Sequence, residues 1–484
     1  MKKLLKGLLS AVLAFVCIVG FTGCNNKLSK TTATTTKVLD GTNGGITAVY
    51  DGYLYFINGT KKNDGTNSSG NKRGGIARVK YNSETGEIDD TTYEVIVKDL
   101  VGYSNGSLYF FGDFMYYTTP SSDVNYKDTV LYYKTKFMRY DLVNKKSHHI
   151  YTTKLNSEDT SMSYAYYVVD DTLNLVVYES KSATITSLKI DDKITENYVI
   201  EEVTSCVMSE NNGKSVTSGK TIDANNFVYY TKAHETGDKY QTGNIVYRTS
   251  PVKNNDSFEL LDDGKSISLL CIRNGKLLYS YDSRIYFATI NGDNQDSLNS
   301  SVNGLTNILS FTSYENVVFK ENSDGTITVI YYDDKNLQLV ALKWNWASEN
   351  PIESKTINSL KKSEKFEFVT LANVEELSDP LDKDSEKVTS TYLVYIADSI
   401  VFKIKVAENG EITQHTQPVK LTTTKVEVAS GLMVAEVVGD KLYIFAKELD
   451  EKDKQTENIY LYTVDMLITE DSTKAATFIG VKED

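Results

Sequence analysis

A strand phrase in two parts runs along this chain, its first part recurring eight times at intervals of about 50 to 65 residues, and no other feature narrows the fold as much. The first part is a polar turn followed by β-branched and aromatic residues, as in Asp51-Gly52-Tyr53-Leu54-Tyr55-Phe56-Ile57. It returns at residues 105–110, 171–178, 226–230, 274–279, 324–331, 391–396 and 439–445. The second part has the form apolar, Tyr or Arg, apolar, polar turn, as in Ile76-Ala77-Arg78-Val79 and Phe137-Met138-Arg139-Tyr140. Its other copies lie at residues 245–248, 285–288, 339–344, 400–404 and 459–463. Runs of this kind, bounded by Asn, Asp, Gly and Ser, are strand and turn signals, and each pair reads as a hairpin. Weaker strands flank the pairs, for example at residues 93–97 and 478–481.

The central strands are apolar on consecutive positions. Successive side chains of a strand point to opposite faces, so both faces must be buried. A two-sheet sandwich leaves one face of each strand wet and shows stricter alternation, whereas a sheet held between two others does not. Closed radial repetition also protects sheet edges, which matters in a chain with 34 Tyr and only 5 Pro. The fold class is therefore all-β: a β-propeller over residues 38–484 with eight blades, seven being the near alternative and an open solenoid of β-repeats the runner-up.

The N-terminal segment follows another logic. Lys2, Lys3 and Lys6 form a basic start, Leu8 to Phe21 is uncharged, and small Gly23 precedes Cys24. The segment Phe21-Thr22-Gly23-Cys24 resembles the lipobox of a bacterial lipoprotein signal, with Phe21 where Leu is usual. The resemblance implies a signal peptide at residues 1–23, cleaved between Gly23 and Cys24, and lipid attachment at Cys24 through a diacylglyceryl thioether with an acylated amine, palmitate-like chains included. Two acyl chains suffice for stable anchoring, since each buried CH₂ contributes about 0.8 kcal/mol. Residues 24–37 read as a lipid-anchored flexible tether that holds the body roughly 20 Å from the lipid. The expected location is the cell membrane, facing the extracytoplasmic side. An uncleaved membrane anchor is one alternative, although the uncharged run of about 17 residues is short for a bilayer. An ordinary secretory signal is the other.

The turn-Leu/Val-Tyr-Phe strand followed by an Ile-Tyr/Arg strand is similar to the repeats of exported bacterial propellers of the low-density-lipoprotein-receptor-related type. The likeness covers about residues 40–481, in a degenerate form without the fuller Tyr-Trp-Thr-Asp repeat. It implies a propeller, often lipid-anchored, and implies no particular activity.

Without residues 1–23 the chain holds 49 basic and 65 acidic side chains, a formal charge of −16. Such a field repels phosphate backbones, so nucleic acid is not an expected partner. Cys206 and Cys271 sit in strand-like apolar contexts and read as buried free thiols, a single disulfide being the alternative.

The search for chemistry yields little. Gly213-Lys214-Ser215-Val216-Thr217-Ser218-Gly219-Lys220-Thr221 has one residue too many between its glycines for a phosphate loop and leads into a strand, so it reads as an inter-strand loop. His148 and His149 are adjacent and would point to opposite strand faces, which prevents joint chelation; His234 and His415 stand apart. Two acidic loops make weak calcium binding a candidate: Asp379, Asp382, Asp384 and Glu386, and Asp293 and Asp296 beside Asn291 and Asn294. Neither keeps a complete calcium-loop register, and a solvated turn is the favoured reading. Ser323-Asp324-Gly325-Thr326 has the wrong spacing for the Asp-box turn of sialidase-like propellers and reads as a hairpin turn. Trp344 and Trp346 would share a strand face, as a sugar-stacking platform or, more often, as core; Tyr116-Tyr117 and Tyr132-Tyr133 are treated alike. No catalytic set, cofactor or metal site is assigned. The reading is a membrane-anchored binding or scaffolding module with an unidentified protein or glycan partner. The alternatives are a carbohydrate-active enzyme with channel-mouth carboxylates and an accessory subunit of an envelope assembly or transport complex.

Overall fold

The computed structural model describes residues 39–40, 45, 47–58, 74–83, 85–101, 108–127, 130–157, 161–208, 216–218, 227–234, 243–253, 258–261, 266–273, 276–281, 284–289, 299–300, 317–344, 351–379, 381–382, 384–412, 418–421, 427–428, 435–449, 455–473 and 477–479. Their regular structure is all β: eight sheets of four or five strands, numbered here in chain order. Their cores are up-and-down antiparallel meanders, a contact that needs only short turns, and one short parallel strand is added at the edge of sheet 3. The repeated phrase falls on two adjacent central strands, the second and third of sheets 4 to 7 and the third and fourth in chain order of the five-stranded sheets 1 and 8. They are Tyr53–Ile57 and Ile76–Tyr81 in sheet 1, Val228–Ala233 and Asn244–Thr249 in sheet 4, and Lys276–Tyr281 and Arg284–Thr289 in sheet 5. In sheets 6, 7 and 8 they are Ile327–Asp333 and Gln338–Trp344, Lys387–Ala397 and Ile400–Val406, and Lys441–Leu449 and Gln455–Asp465. All six of these pairs are antiparallel hairpins, as the phrase predicts.

The phrase misreads the other two sheets. In sheet 2, residues 109–110 belong to the first strand, Tyr109–Phe111, and the partner of the third strand Val130–Asp141 is Phe114–Lys127. The first strand of that sheet is buried on both faces and as aromatic as a second strand, so local sequence could not separate them. In sheet 3, Thr172–Glu179 pairs with Thr184–Ile190, whose Thr, Ser and Lys residues hide it from the pattern. The segment read as an inter-strand loop contains a short strand, Val216–Ser218, which joins sheet 3 parallel to its first strand, Met162–Val169.

Packing closes the sheets into a propeller-type ring. Leu54 and Phe56 pack with Tyr443, Leu461 and Ile479 of sheet 8. Tyr55 and Ile57, on the opposite face, pack with Phe110, Met115 and Tyr117 of sheet 2. The same alternation continues from sheet 2 to 3, 3 to 4, 4 to 5, 5 to 6, 6 to 7 and 7 to 8, each junction having its own apolar cluster. The apolar runs are therefore continuous because each strand serves two interfaces. Trp344 lies in the cluster between sheets 5 and 6, as core; Trp346 lies outside the described residues. Tyr116 and Tyr117 are likewise buried, whereas Tyr132 and Tyr133 are half-buried.

Four cations are built into these interfaces at one register. Arg78, Arg139, Arg248 and Lys403 occupy the later strand of the central pair and stack over Tyr53, Phe114, Phe227 and Tyr392 at 4.3, 4.0, 4.2 and 4.4 Å. Each stands opposite the residue two positions beyond its ring: Tyr55, Tyr116, Tyr229 and Val394. A ring face attracts a cation more strongly once water is excluded, and Arg78 is paired with Glu94 at 2.9 Å as well. Polar contacts also cross between sheets. The connection after the third strand of sheet 7 reaches sheet 6, where Ser323 N donates to Glu408 O at 3.1 Å and Thr328 Oγ1 to Gly410 O at 3.2 Å.

Candidate functional site

Strands of an antiparallel meander alternate in direction, so turns two strands apart lie at the same end of a sheet. Hydrogen bonds tie these turns together: Tyr81 N to Gly52 O at 3.0 Å, Leu142 N to Asp113 O at 3.0 Å and Met466 N to Asp440 O at 2.8 Å. We call this end the turn face. Asp51 and Gly52 both have positive φ, 52° and 76°, as do Asp170 and Asp171 at 48° and 57°, the geometry of two-residue type I′ hairpins. Asp and Gly tolerate it, which makes the turn face both tight and acidic.

An open cavity of about 560 Å³ lies on this face in sheet 1, between the Asp51-Gly52 turn and the turn joining Ile76–Tyr81 to Ile88–Val97. Tyr53, Tyr81 and Ile88 supply its apolar surface, and Lys80, Asn82, Glu87 and Asp89 its polar groups. Tyr53 stands opposite Lys80, and Lys80 opposite Asp89, so an aromatic ring, an ammonium and a carboxylate lie side by side. Arg78 stacks on Tyr53 and is fixed by Glu94 through Nε at 3.1 Å and Nη2 at 2.9 Å. The second turn is shaped by its own hydrogen bonds, Asn82 N to Glu87 O at 2.9 Å and Gly86 N to Asn82 O at 2.8 Å. A Cβ on Gly86, whose φ is +68°, would lie 3.4 Å from Asp440 Oδ1, so the cavity wall abuts sheet 8.

A second polar cluster occupies the turn face between sheets 7 and 8. The first strand of sheet 7, Phe366–Leu377, and the second form a long hairpin, from which Glu376 accepts hydrogen bonds from Ser390 Oγ at 2.5 Å, Tyr392 OH at 2.6 Å and Lys405 Nζ at 2.7 Å. Burial works against the Glu376 charge, yet the bonds from Lys405, Ser390 and Tyr392 hold its carboxyl below the usual range. Burial pushes Lys403 down to about 8, partly offset by Glu376 and Asp465, and its Nζ donates to Met466 O. Leu381, in the turn of the same hairpin, is 95% exposed, and Val388 and Leu467 are exposed as well.

The residues singled out by sequence fare differently. Cys24, Gly23, His415, Asn291, Asp293, Asn294 and Asp296 lie outside the described residues. His148 and His149 sit on the outer strand of sheet 2, Lys146–Thr152, with His149 Nε2 2.7 Å from Thr152 Oγ1. His234 stands in sheet 4, its N–H bonded to Gly243 O at 3.1 Å. Asp379 and Asp382 serve the sheet 7 turn by accepting Leu381 N at 2.9 Å and Asp384 N at 3.0 Å. Among the described residues no group of three His, Cys, Asp or Glu is placed to hold a metal ion. Ser323-Asp324-Gly325-Thr326 is the hairpin turn between Val317–Glu321 and Ile327–Asp333. Cys206 and Cys271 lie on first strands with no disulfide between them; Cys271 is buried as expected, whereas Cys206 is half-buried, and the desolvation of its sulfur raises the thiol well above its ordinary value. Sequence reasoning missed the cavity residues and the Glu376 cluster. The long polar hairpin of sheet 7 was the one visible signal for the latter.

No family model and no curated protein matches the chain. Among solved structures it is similar to oligopeptidase B from Trypanosoma brucei, with 10% identity and a TM-score of 0.42 over 79% of this chain and 49% of that one. It is also similar to Porphyromonas gingivalis dipeptidyl peptidase 4, with 9% identity and a TM-score of 0.43 over 90% and 58%. The match to the dihydro-heme d1 dehydrogenase NirN has 11% identity and a TM-score of 0.44 over 92% and 79%. The chain thus spans about half the length of the two peptidases.

Proposed function

We propose that this chain is a lipid-anchored, extracytoplasmic binding or scaffolding protein built on an eight-bladed β-propeller of the low-density-lipoprotein-receptor-related type. Eight sheets and an apolar cluster at each of eight junctions support eight blades over seven. The Phe21-Thr22-Gly23-Cys24 segment supports removal of residues 1–23, lipid on Cys24 and attachment to the cell membrane. The observation that carries the binding role is the cavity of about 560 Å³ on the turn face, within the size range of small-molecule sites.

Two readouts in one strain test this reading. Cys24→Ala should move the protein from the membrane fraction to the medium or leave it unprocessed. A photo-crosslinking residue at exposed Ser83, beside the cavity, should give a discrete adduct in cells, while one at Leu100, at the opposite end, should not. Unchanged lipid labelling of Cys24→Ala would refute the anchor. Equal labelling from both positions, or none from Ser83, would refute the turn-face site.

A further inference from the structure

We infer that the cavity of sheet 1 is a saccharide site that takes a neutral or amine-bearing oligosaccharide; this rests on the turn-face binding role proposed above. The charged groups of the cavity are two carboxylates, Glu87 and Asp89, and one ammonium, Lys80, in a chain of formal charge −13. Phosphate, sulfate and carboxylate ligands want converging cations and would meet a net negative wall here. A lipid chain or other wholly apolar ligand would strip water from those same charges without pairing them, which is costly.

A pyranose ring suits what remains. It offers a patch of C–H groups on one face and a belt of hydroxyls that both donate and accept. Tyr53, Tyr81 and Ile88 provide apolar surface, and carboxylates, an amide and an ammonium provide partners for hydroxyls of either polarity. The carboxylates would also favour an amine substituent. The aromatic platform is preorganised, because Arg78 stacks on Tyr53 at 4.3 Å while Glu94 holds the guanidinium. A ring that is already immobile loses little entropy on binding. The opposite wall is also fixed, since Gly86 abuts Asp440 and Tyr81 N is bonded to Gly52 O at 3.0 Å. The volume of about 560 Å³ leaves room for a short oligosaccharide.

The test uses the purified lipidated chain, beginning at Cys24, in detergent and three probes: cellotriose, the free-amine trisaccharide chitosan triose, and a sulfated heparin trisaccharide. Binding is read by saturation-transfer NMR and calorimetry. At least one of the first two should bind and the sulfated probe should bind more weakly. Ser83→Trp, which fills the cavity from an exposed position, and Tyr53→Ala should each weaken binding about tenfold or more. Melting temperature is followed for both, and Ser83→Trp carries the test if Tyr53→Ala unfolds. The inference is overturned if neither cellotriose nor chitosan triose binds, if the sulfated probe binds best, or if Ser83→Trp leaves affinity unchanged. A Ser83 adduct in cells without saccharide binding would overturn the ligand class and leave the turn-face site standing.

Discussion

Gly325 and Gly410 share a φ of +78° but not their surroundings, and comparing Gly325→Ala with Gly410→Ala measures how tightly sheets 6 and 7 are locked. A Cβ at Gly325 would meet nothing within 4 Å, so that substitution incurs only left-handed strain. The strain is about 1–2 kcal/mol, reduced by the roughly 0.4–1 kcal/mol that a stiffer unfolded chain returns. The expected loss is then about 1 kcal/mol. At Gly410 the Cβ would overlap Thr328 Oγ1 and Asn322 Oδ1 and stand 2.5 Å from Asn322 Cγ. Both side chains are buried, at 1% and 7% exposure, and they are bonded to each other, with Asn322 Nδ2 3.0 Å from Thr328 Oγ1. Moving them breaks that bond and the one from Thr328 to Gly410 O, leaving buried polar groups unpaired at about 1–3 kcal/mol. Gly410→Ala should therefore destabilise by about 2–4 kcal/mol, beyond the median substitution. Urea denaturation followed by tyrosine fluorescence reads both values. Equal losses for the two variants would refute the account, because the strain is common to them and only the contact with sheet 6 differs.

Three further outcomes follow from the same structure. Lys403 is held near 8 against an ordinary 10.5, so the folded state disfavours its charge below pH 8 and the penalty is relieved as pH rises to 10.5. The stability of Lys403→Met relative to the natural protein should fall by about 2 kcal/mol across that window, and a pH-independent difference in urea midpoints would contradict the burial argument. Cys206 and Cys271 should stay unreactive to a disulfide reagent in buffer and react in urea; rapid labelling of the folded protein would show that the strands bearing them open readily. Tyr392→Phe removes one of three donors to Glu376 and should cost about 1–2 kcal/mol, with the loss shrinking as pH falls and the carboxyl protonates; a loss unchanged at low pH would count against the cluster.

The recurring phrase was sufficient for the all-β class and for six of the hairpins, because turn chemistry and strand propensity act over a few neighbouring residues. It also predicted burial on both strand faces, since consecutive apolar residues such as Leu54, Tyr55 and Phe56 have no other use. It failed where one strand imitated another, at Tyr109–Phe111, and where a buried strand was polar, at Thr184–Ile190. Tertiary structure alone decided that Leu54 and Phe56 meet Tyr443 and Leu461, closing the ring between segments nearly 400 residues apart. The same holds for the cations over Tyr53, Phe114, Phe227 and Tyr392, and for the cavity made from two turns separated by the whole hairpin of sheet 1. Local propensity carries no information about which distant faces meet. That choice belongs to packing, which selects one arrangement of all eight sheets at once.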